Sequence, residues 1–177
     1  EGSGFFEVNQ NGGIRWNTAK GFLRPALKRS NLRLITHAMS ERLVLDGKRV
    51  IGVRYRHKGV LHEARAGAEV LLAAGAINSP KLLELSGIGQ PQLLQSLGID
   101  VAHENISVGE NLQDHLQIRT VYKVDGAKTL NTMFNSLVGK AGIGLQYALM
   151  RKGPMSMAPS QFGIFTRSDP SRATPDL

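Results

Sequence analysis

The chain contains no cysteine among its 177 residues. This absence excludes disulfide bonds, thiolate metal ligands and a cysteine nucleophile within the stretch. The histidines at positions 37, 57, 62 and 103 stand at no spacing typical of metal ligands, so the sequence predicts no metal site. The absence of cysteine leaves the cellular compartment open.

Long apolar runs are also missing. No uninterrupted run approaches the roughly eighteen residues that a membrane-spanning helix requires. The chain begins at Glu1 without a methionine, and no basic segment followed by an apolar one stands near it, as a secretory signal would require. We therefore expect a partial sequence of a longer chain.

Acidic and aromatic residues are scarce. Twenty-two Lys and Arg residues against 14 Asp and Glu residues give a net charge of +8, whereas aromatic residues make up 6% of the chain. The basic residues are scattered and no aromatic residues interleave with them, so the pattern does not favour nucleic-acid binding. A solvated basic face, or a surface that meets an anionic partner, fits the charge better.

The residues present are sufficient for a folded core, because 41% are hydrophobic. Helical spacing over residues 18–29 predicts a short helix bent at Pro25. Asp46-Gly47 and Lys58-Gly59 each predict a tight turn between extended segments. Together these signals predict a three-stranded antiparallel meander ending near Arg65, with a brief strand at residues 32–36 before it.

The stretch from Gly75 to Gly89, GAINSPKLLELSGIG, follows the apolar run of residues 69–74. That run predicts a strand covered on both faces in a parallel sheet. Ser79 and Pro80 predict the start of a helix, and Ser86-Gly87 predicts its end; Pro91 predicts the start of the next helix. A buried strand, a glycine turn and a helix N-terminus form a recurrent platform for anionic or strongly polar groups, although a plain strand–helix corner is equally compatible.

Two motifs in this order resemble a known family. Gly75 to Gly89 resembles the second signature of the glucose-methanol-choline (GMC) flavin oxidoreductases, and VGENLQDH at residues 108–115 resembles a further block of that family. Residues 18–26, 36–39 and 46–53 are similar to its choline-dehydrogenase-like branch. The resemblance covers nearly the whole chain.

The resemblance implies an α/β fold, with α+β character in the second part. Residues 1–115 would form a partial FAD-binding, Rossmann-like domain with an antiparallel β-meander. Residues 116–177 would begin a substrate-binding domain, in which residues 116–124 and 161–166 are expected as strands and residues 132–150 as a helix.

The family's cofactor is FAD, and the resemblance implies which residues approach it. The backbone of residues 38–40 would face the adenine, residues 74–76 would line the cofactor path with two polar residues close by, and the second motif would lie near the cofactor. The implied cofactor-binding residues are Ala38, Met39, Ser40, Ala74, Gly75, Ala76, Asn78, Ser79, Asn111, Asp114 and His115.

Several of these residues have a structural alternative. Met39 could be a core side chain, and Asn111 and Asp114 could cap their own loop, since both residue types readily bond nearby backbone. His115 beside Asp114 suggests proton transfer, but no nucleophile or substrate pocket accompanies it, so a structural role is favoured.

The resemblance implies oxidation of the CH–OH group of an alcohol, with hydride passing from carbon to flavin N5 and electrons leaving to an unknown acceptor. The glycine fingerprint for the FAD pyrophosphate, Gly-x-Gly-x-x-Gly, is absent, and no catalytic residue is assigned within the chain. We therefore expect the isolated chain to be inactive and to bind FAD weakly or not at all without the remainder of its own polypeptide. The alternative is a non-catalytic α/β binding module whose basic surface meets an anionic partner.

Overall fold

A computed structural model describes residues 1–158 and 160–177 as a mixture of short strands and helices. The strands are β1 Gly2–Phe5, β2 Gln10–Asn11, β3 Ile14–Arg15, β4 Ala38–Asp46, β5 Arg49–His57, β6 Val60–Arg65, β7 Ile88–Gly89, β8 His103–Glu104 and β9 Phe162–Phe165. The α-helices are α1 Arg24–Ala26, α2 Gly75–Glu84, α3 Pro91–Ser96, α4 Leu130–Phe134 and α5 Leu137–Met150. This mixture confirms the predicted fold class.

The chain divides into two compact units. One comprises residues 34–119, and the other comprises residues 1–33 together with residues 120–177. The predicted domain boundary at His115 stays a prediction.

The meander predicted from the turn residues is confirmed as an antiparallel sheet in the order β4-β5-β6. Lys58 and Gly59 have φ of 50° and 79°, as a two-residue hairpin turn with two positive φ angles requires. In the first hairpin Asp46 pairs with Arg49, so the central residues are Gly47 and Lys48, one position later than predicted. Asp46 is thus the last residue of β4.

A buried serine joins this meander to α2. The Leu43 N–H of β4 donates to Ser86 Oγ at 2.8 Å, and Ser86 Oγ donates to the Leu82 carbonyl at 2.6 Å. Ser86 is 2% exposed, and Leu43 and Leu82 are also buried. The end of α2 is therefore tied to the middle of β4.

Replacing Ser86 with alanine is expected to lower the free energy of unfolding by about 1–3 kcal/mol, because the buried Leu43 N–H loses its acceptor. Ser96→Ala is the matched control, since Ser96 Oγ makes a similar bond to the Leu93 carbonyl at an exposed position. Its effect should stay within about 0.5 kcal/mol. Equal effects of the two substitutions in urea unfolding would contradict the assigned role of Ser86.

Glu63 on β6 lies between two arginines. The Arg54 Nε donates to Glu63 Oε2 at 2.9 Å, and Arg65 Nη2 lies 2.6 Å from Glu63 Oε1. The hydrogen bond from Arg54, with the positive charge of Arg65, lowers the pKa of Glu63 below its ordinary value of 4.5. A depressed pKa in the folded state means that the contribution to stability is complete above pH 4.5 and is lost as the pH falls through the folded pKa.

Carboxyl NMR titration should therefore give Glu63 a midpoint below 4.5, and Arg54→Gln should move it upward. Arg49→Gln serves as the control and should leave the midpoint of Glu63 unchanged. Arg49 lies on β5, as Arg54 does, but forms no ion pair among the described residues. A wild-type midpoint at or above 4.5 would contradict the assigned ion pairs.

Three strand predictions are wrong. Residues 69–74 form no strand and pair with no strand of the described chain, although they alternate between exposed and half-buried up to residue 73. The apolar run is therefore not part of a parallel sheet. Residues 116–124 form no strand either; Leu116 and Val121 are each 95% exposed, so neither face is covered. Residues 32–36 are likewise not a strand. A strand requires a hydrogen-bonding neighbour, and no strand in the part of the chain that the structure describes pairs with these segments.

The other unit contains the two helical segments and the strand that were expected in it. A π-helical turn at Ala19–Leu23 continues into α1 with Pro25 inside it, as the bent helix predicts. The helix expected over residues 132–150 is present as α4 and α5, separated at Asn135 and Ser136, and Ser136 Oγ caps α5 by accepting from the Gly139 N–H. The strand expected at residues 161–166 is β9, which pairs antiparallel with β1. No helix in the described part of the chain is long and apolar enough to cross a membrane.

Candidate functional site

Helix α2 begins earlier than predicted. It spans Gly75–Glu84, so Pro80 lies inside it and Ser79 is not its N-cap. Gly75, with φ of 88°, makes the sharp turn into the helix. Ser79 Oγ instead accepts the Ala74 N–H at 3.0 Å, which closes the turn at the helix entrance.

The start of α2 leaves main-chain groups without their usual helical partners. The N-cap residue, Ala74, has no side chain that could cap the helix, and the first N–H groups of any α-helix have no acceptor inside it. Pro80 has no N–H, so the Ala76 carbonyl lacks its usual helical donor. The entrance to α2 therefore presents donors for an anionic group and an acceptor for a hydroxyl group within one turn.

The end of the first motif leads to a short parallel ladder. The Gly87 carbonyl accepts from the Ala102 and His103 N–H groups at 2.8 and 3.0 Å, and the Gly89 carbonyl accepts from the Asn105 N–H at 2.9 Å. Strands β7 and β8 are parallel. This ladder brings the chain just before the second motif beside the end of the first.

The second motif then packs against α2. Val108 is 9% exposed. A Cβ placed on Gly109 would lie 2.9 Å from Glu84 Oε1, so a residue without a side chain lets the loop approach the helix closely. Asn111 follows in the left-handed conformation, with φ of 57°. The two sequence motifs are thus in contact.

A groove of about 660 Å³ lies between α2 and the loop of the second motif. One wall comes from the first motif and the other from the second. The lining residues are Ala76, Ile77, Ser79, Pro80, Lys81, Leu83, Glu84, Ser107, Val108, Gly109, Glu110, Asn111, Leu112 and Gln113.

The groove collects three of the predicted cofactor residues, namely Ala76, Ser79 and Asn111. The other eight are not among its lining residues: Ala38, Met39, Ser40, Ala74, Gly75, Asn78, Asp114 and His115. Gly75 nevertheless faces open space, since nothing lies within 4 Å of where its Cβ would be.

The structural alternative proposed for Met39 is wrong, whereas the one proposed for Asp114 agrees with the structure. Met39 is 70% exposed, so it is not a core side chain in this structure. Asp114 Oδ1 accepts the His115 N–H at 2.8 Å, which is the backbone-capping behaviour expected of a loop aspartate. The His115 side chain makes no hydrogen bond among the described residues.

Sequence reasoning missed the charged residues of the groove, which are Lys81, Glu84 and Glu110. They stand inside the two quoted motifs. Only contact between the motifs reveals that these side chains share one groove.

Comparison with known proteins supports the motif assignment. The family model for GMC oxidoreductases matches residues 1–117. The whole chain aligns with human mitochondrial choline dehydrogenase at 40% identity over 177 residues, covering 30% of that protein. It also aligns with the alcohol dehydrogenase (acceptor) of Pseudomonas putida at 35% identity over 180 residues, again along its whole length, and covers 32% of that protein. The chain thus spans about a third of the length of these relatives.

Solved structures resemble the chain as well. A fungal aryl-alcohol oxidase superimposes with a TM-score of 0.81 at 25% identity, over 93% of this chain and 29% of that one. An FAD-dependent oxidoreductase from Chaetomium thermophilum superimposes with a TM-score of 0.79 at 26% identity, over 88% of this chain and 28% of that one. Because the family model matches well over half of its residues, the chain belongs to the GMC oxidoreductase family.

Proposed function

We propose that the chain is the central segment of an FAD-dependent oxidoreductase that oxidises the CH–OH group of a small alcohol. The proposal is supported by the sequence similarity to a choline dehydrogenase and an alcohol dehydrogenase. It is also supported by the structural similarity to an aryl-alcohol oxidase and an FAD-dependent oxidoreductase. The observation that carries the proposal is the groove shared by the two motifs.

The residues of this groove fit part of FAD. The cofactor carries phosphates and a hydroxylated chain, and the entrance to α2 offers unpartnered N–H groups and the Ala76 carbonyl. Ser79 and Asn111 add polar side chains, while Leu83 and Val108 supply apolar wall. These features suit a ligand with polar and apolar parts.

The proposed cofactor-binding set is therefore centred on Ala76, Ser79 and Asn111. Residues 74, 75 and 78, at the same helix entrance, extend it, and residues 38–40, 114 and 115 remain proposed contacts elsewhere on the cofactor. FAD, when bound, would supply the acceptor for the hydride of the alcohol. The residues of this chain would bind and orient it.

The proposal assigns no proton-accepting residue to this chain. Residues 116–177 are proposed to contribute to the substrate-binding domain. The electron acceptor is left open, and the partners proposed are an alcohol, that acceptor and the remainder of the same polypeptide.

The test uses the protein encoded by the complete reading frame that contains these 177 residues. It should purify with a flavin absorbance spectrum, and an alcohol should bleach that spectrum under anaerobic conditions. A panel with choline, aryl alcohols and aliphatic alcohols, assayed with an artificial acceptor and with oxygen, identifies the substrate class and the type of acceptor. Failure to bind FAD after reconstitution, together with no alcohol-dependent reduction of the acceptor, would contradict the proposal.

A further inference from the structure

We propose that Gln90 is a positioning residue that holds Asn111 in the groove between the two motifs. This inference rests on the proposed function, because it takes that groove as part of the cofactor site. Gln90 lies in neither motif and does not line the groove.

The Gln90 side chain connects two parts of the chain. Its Nε2 donates to Glu110 Oε1 at 2.6 Å and to the Ile106 carbonyl at 3.4 Å. Glu110 directly precedes Asn111 and itself lines the groove. A bond to a carboxylate is stronger than one between neutral groups, so the contact with Glu110 dominates.

The backbone of Gln90 is held on both sides. The preceding Gly89 belongs to β7 and accepts the Asn105 N–H at 2.9 Å, while the Gln90 carbonyl accepts the Leu94 N–H at 3.0 Å. Leu94 is fully buried. Gln90 therefore projects its amide from a fixed position.

Apart from the buried side chain of Val108, the loop that receives this amide is held by local hydrogen bonds, including one from the Ser107 N–H to Asn105 Oδ1 at 3.1 Å. Val108 and Glu110 donate backbone bonds to Asn105 and Ser107, each at 3.3 Å, which is long for an N–H donor. Beyond Glu110, Asn111 must hold the left-handed conformation, with φ of 57°. The two bonds from Gln90 hold the loop on either side of Val108, and their loss should let residues 109–111 move away from α2.

The test compares Gln90→Ala with Gln95→Ala in the full-length protein. Gln95 is an exposed glutamine of α3 whose side chain makes no hydrogen bond within the described residues. Hydrogen exchange of residues 105–113 in the flavin-free protein should accelerate about 5- to 10-fold in Gln90→Ala, and the affinity for FAD should fall by a similar factor, as expected for loss of one hydrogen bond to the exposed Glu110. Gln95→Ala should change neither quantity.

Two charge variants extend the test. Gln90→Glu places a second carboxylate against Glu110 and should weaken FAD binding more than Gln90→Ala does. Gln90→Lys supplies a donor to Glu110, so its exchange rates and its FAD affinity should lie closer to the wild-type values than those of Gln90→Ala. Unchanged exchange in Gln90→Ala, or unchanged FAD affinity despite faster exchange, would overturn the positioning role. A wild-type protein that binds no FAD would instead overturn the proposed function, and the two failures are therefore distinguishable.

Discussion

Replacing Gly87 with alanine is expected to lower the free energy of unfolding by about 2–5 kcal/mol, combining left-handed strain with a backbone clash. Gly87 has φ of 82°, and its Cβ would overlap the Asp100 carbonyl oxygen and lie 3.0 Å from the Ala102 nitrogen. The backbone cannot retreat easily, because the Gly87 carbonyl accepts the Ala102 and His103 N–H groups. Urea unfolding followed by circular dichroism measures the loss.

Gly98→Ala separates strain from steric overlap. Gly98 also has a positive φ, of 70°, but nothing lies within 4 Å of where its Cβ would be. Alanine there should cost only the conformational strain, about 1–2 kcal/mol. If Gly98→Ala destabilised the chain as much as Gly87→Ala, the close approach of residues 100–102 to Gly87 would be refuted.

Turn and helix-end residues were the most informative local signals in the sequence. Lys58-Gly59 predicted a hairpin because few residue pairs accept two positive φ angles, and Gly59 adopts one at no steric cost. Gly87 predicted the end of α2 because glycine adopts a positive φ at no steric cost, and its φ is 82°. Such signals act over a few residues, so they do not depend on the rest of the fold.

Signals that depend on distant partners were less reliable. The apolar run at residues 69–74 has the composition of a covered strand, yet pairing requires neighbouring strands, which the described chain does not provide. The start of α2 was misplaced because Ser79 and Pro80 form a good helix start locally. The positive φ of Gly75 instead allows the helix to begin five residues earlier than Pro80, with Pro80 accommodated inside it.

In the candidate site, too, local motifs were predictable from the sequence, whereas contacts between distant residues were not. Family resemblance indicated both motifs, and Ala76, Ser79 and Asn111 do share a groove. The contact of Glu84 with Gly109 and the bond from Gln90 to Glu110 join residues 20 to 25 positions apart, and no local pattern encodes them. Only the ladder between β7 and β8 explains why the two motifs meet.

Leu94→Ala is expected to destabilise the unit formed by residues 34–119 by about 2–5 kcal/mol. Leu94 is 0% exposed, and its two Cδ atoms lie 3.7 Å from the position of a Cβ at Gly89, so truncation leaves a cavity beneath β7. Leu93→Ala is the matched control, because Leu93 is the preceding residue of α3 and is 40% exposed; its cost should be about 1 kcal/mol or less. Leu94→Met, which nearly preserves volume, should cost less than about 1.5 kcal/mol. Equal losses for the two alanine variants in urea unfolding would show that Leu94 does not anchor α3 in the core, and would also remove the rigid backbone on which the positioning role of Gln90 depends.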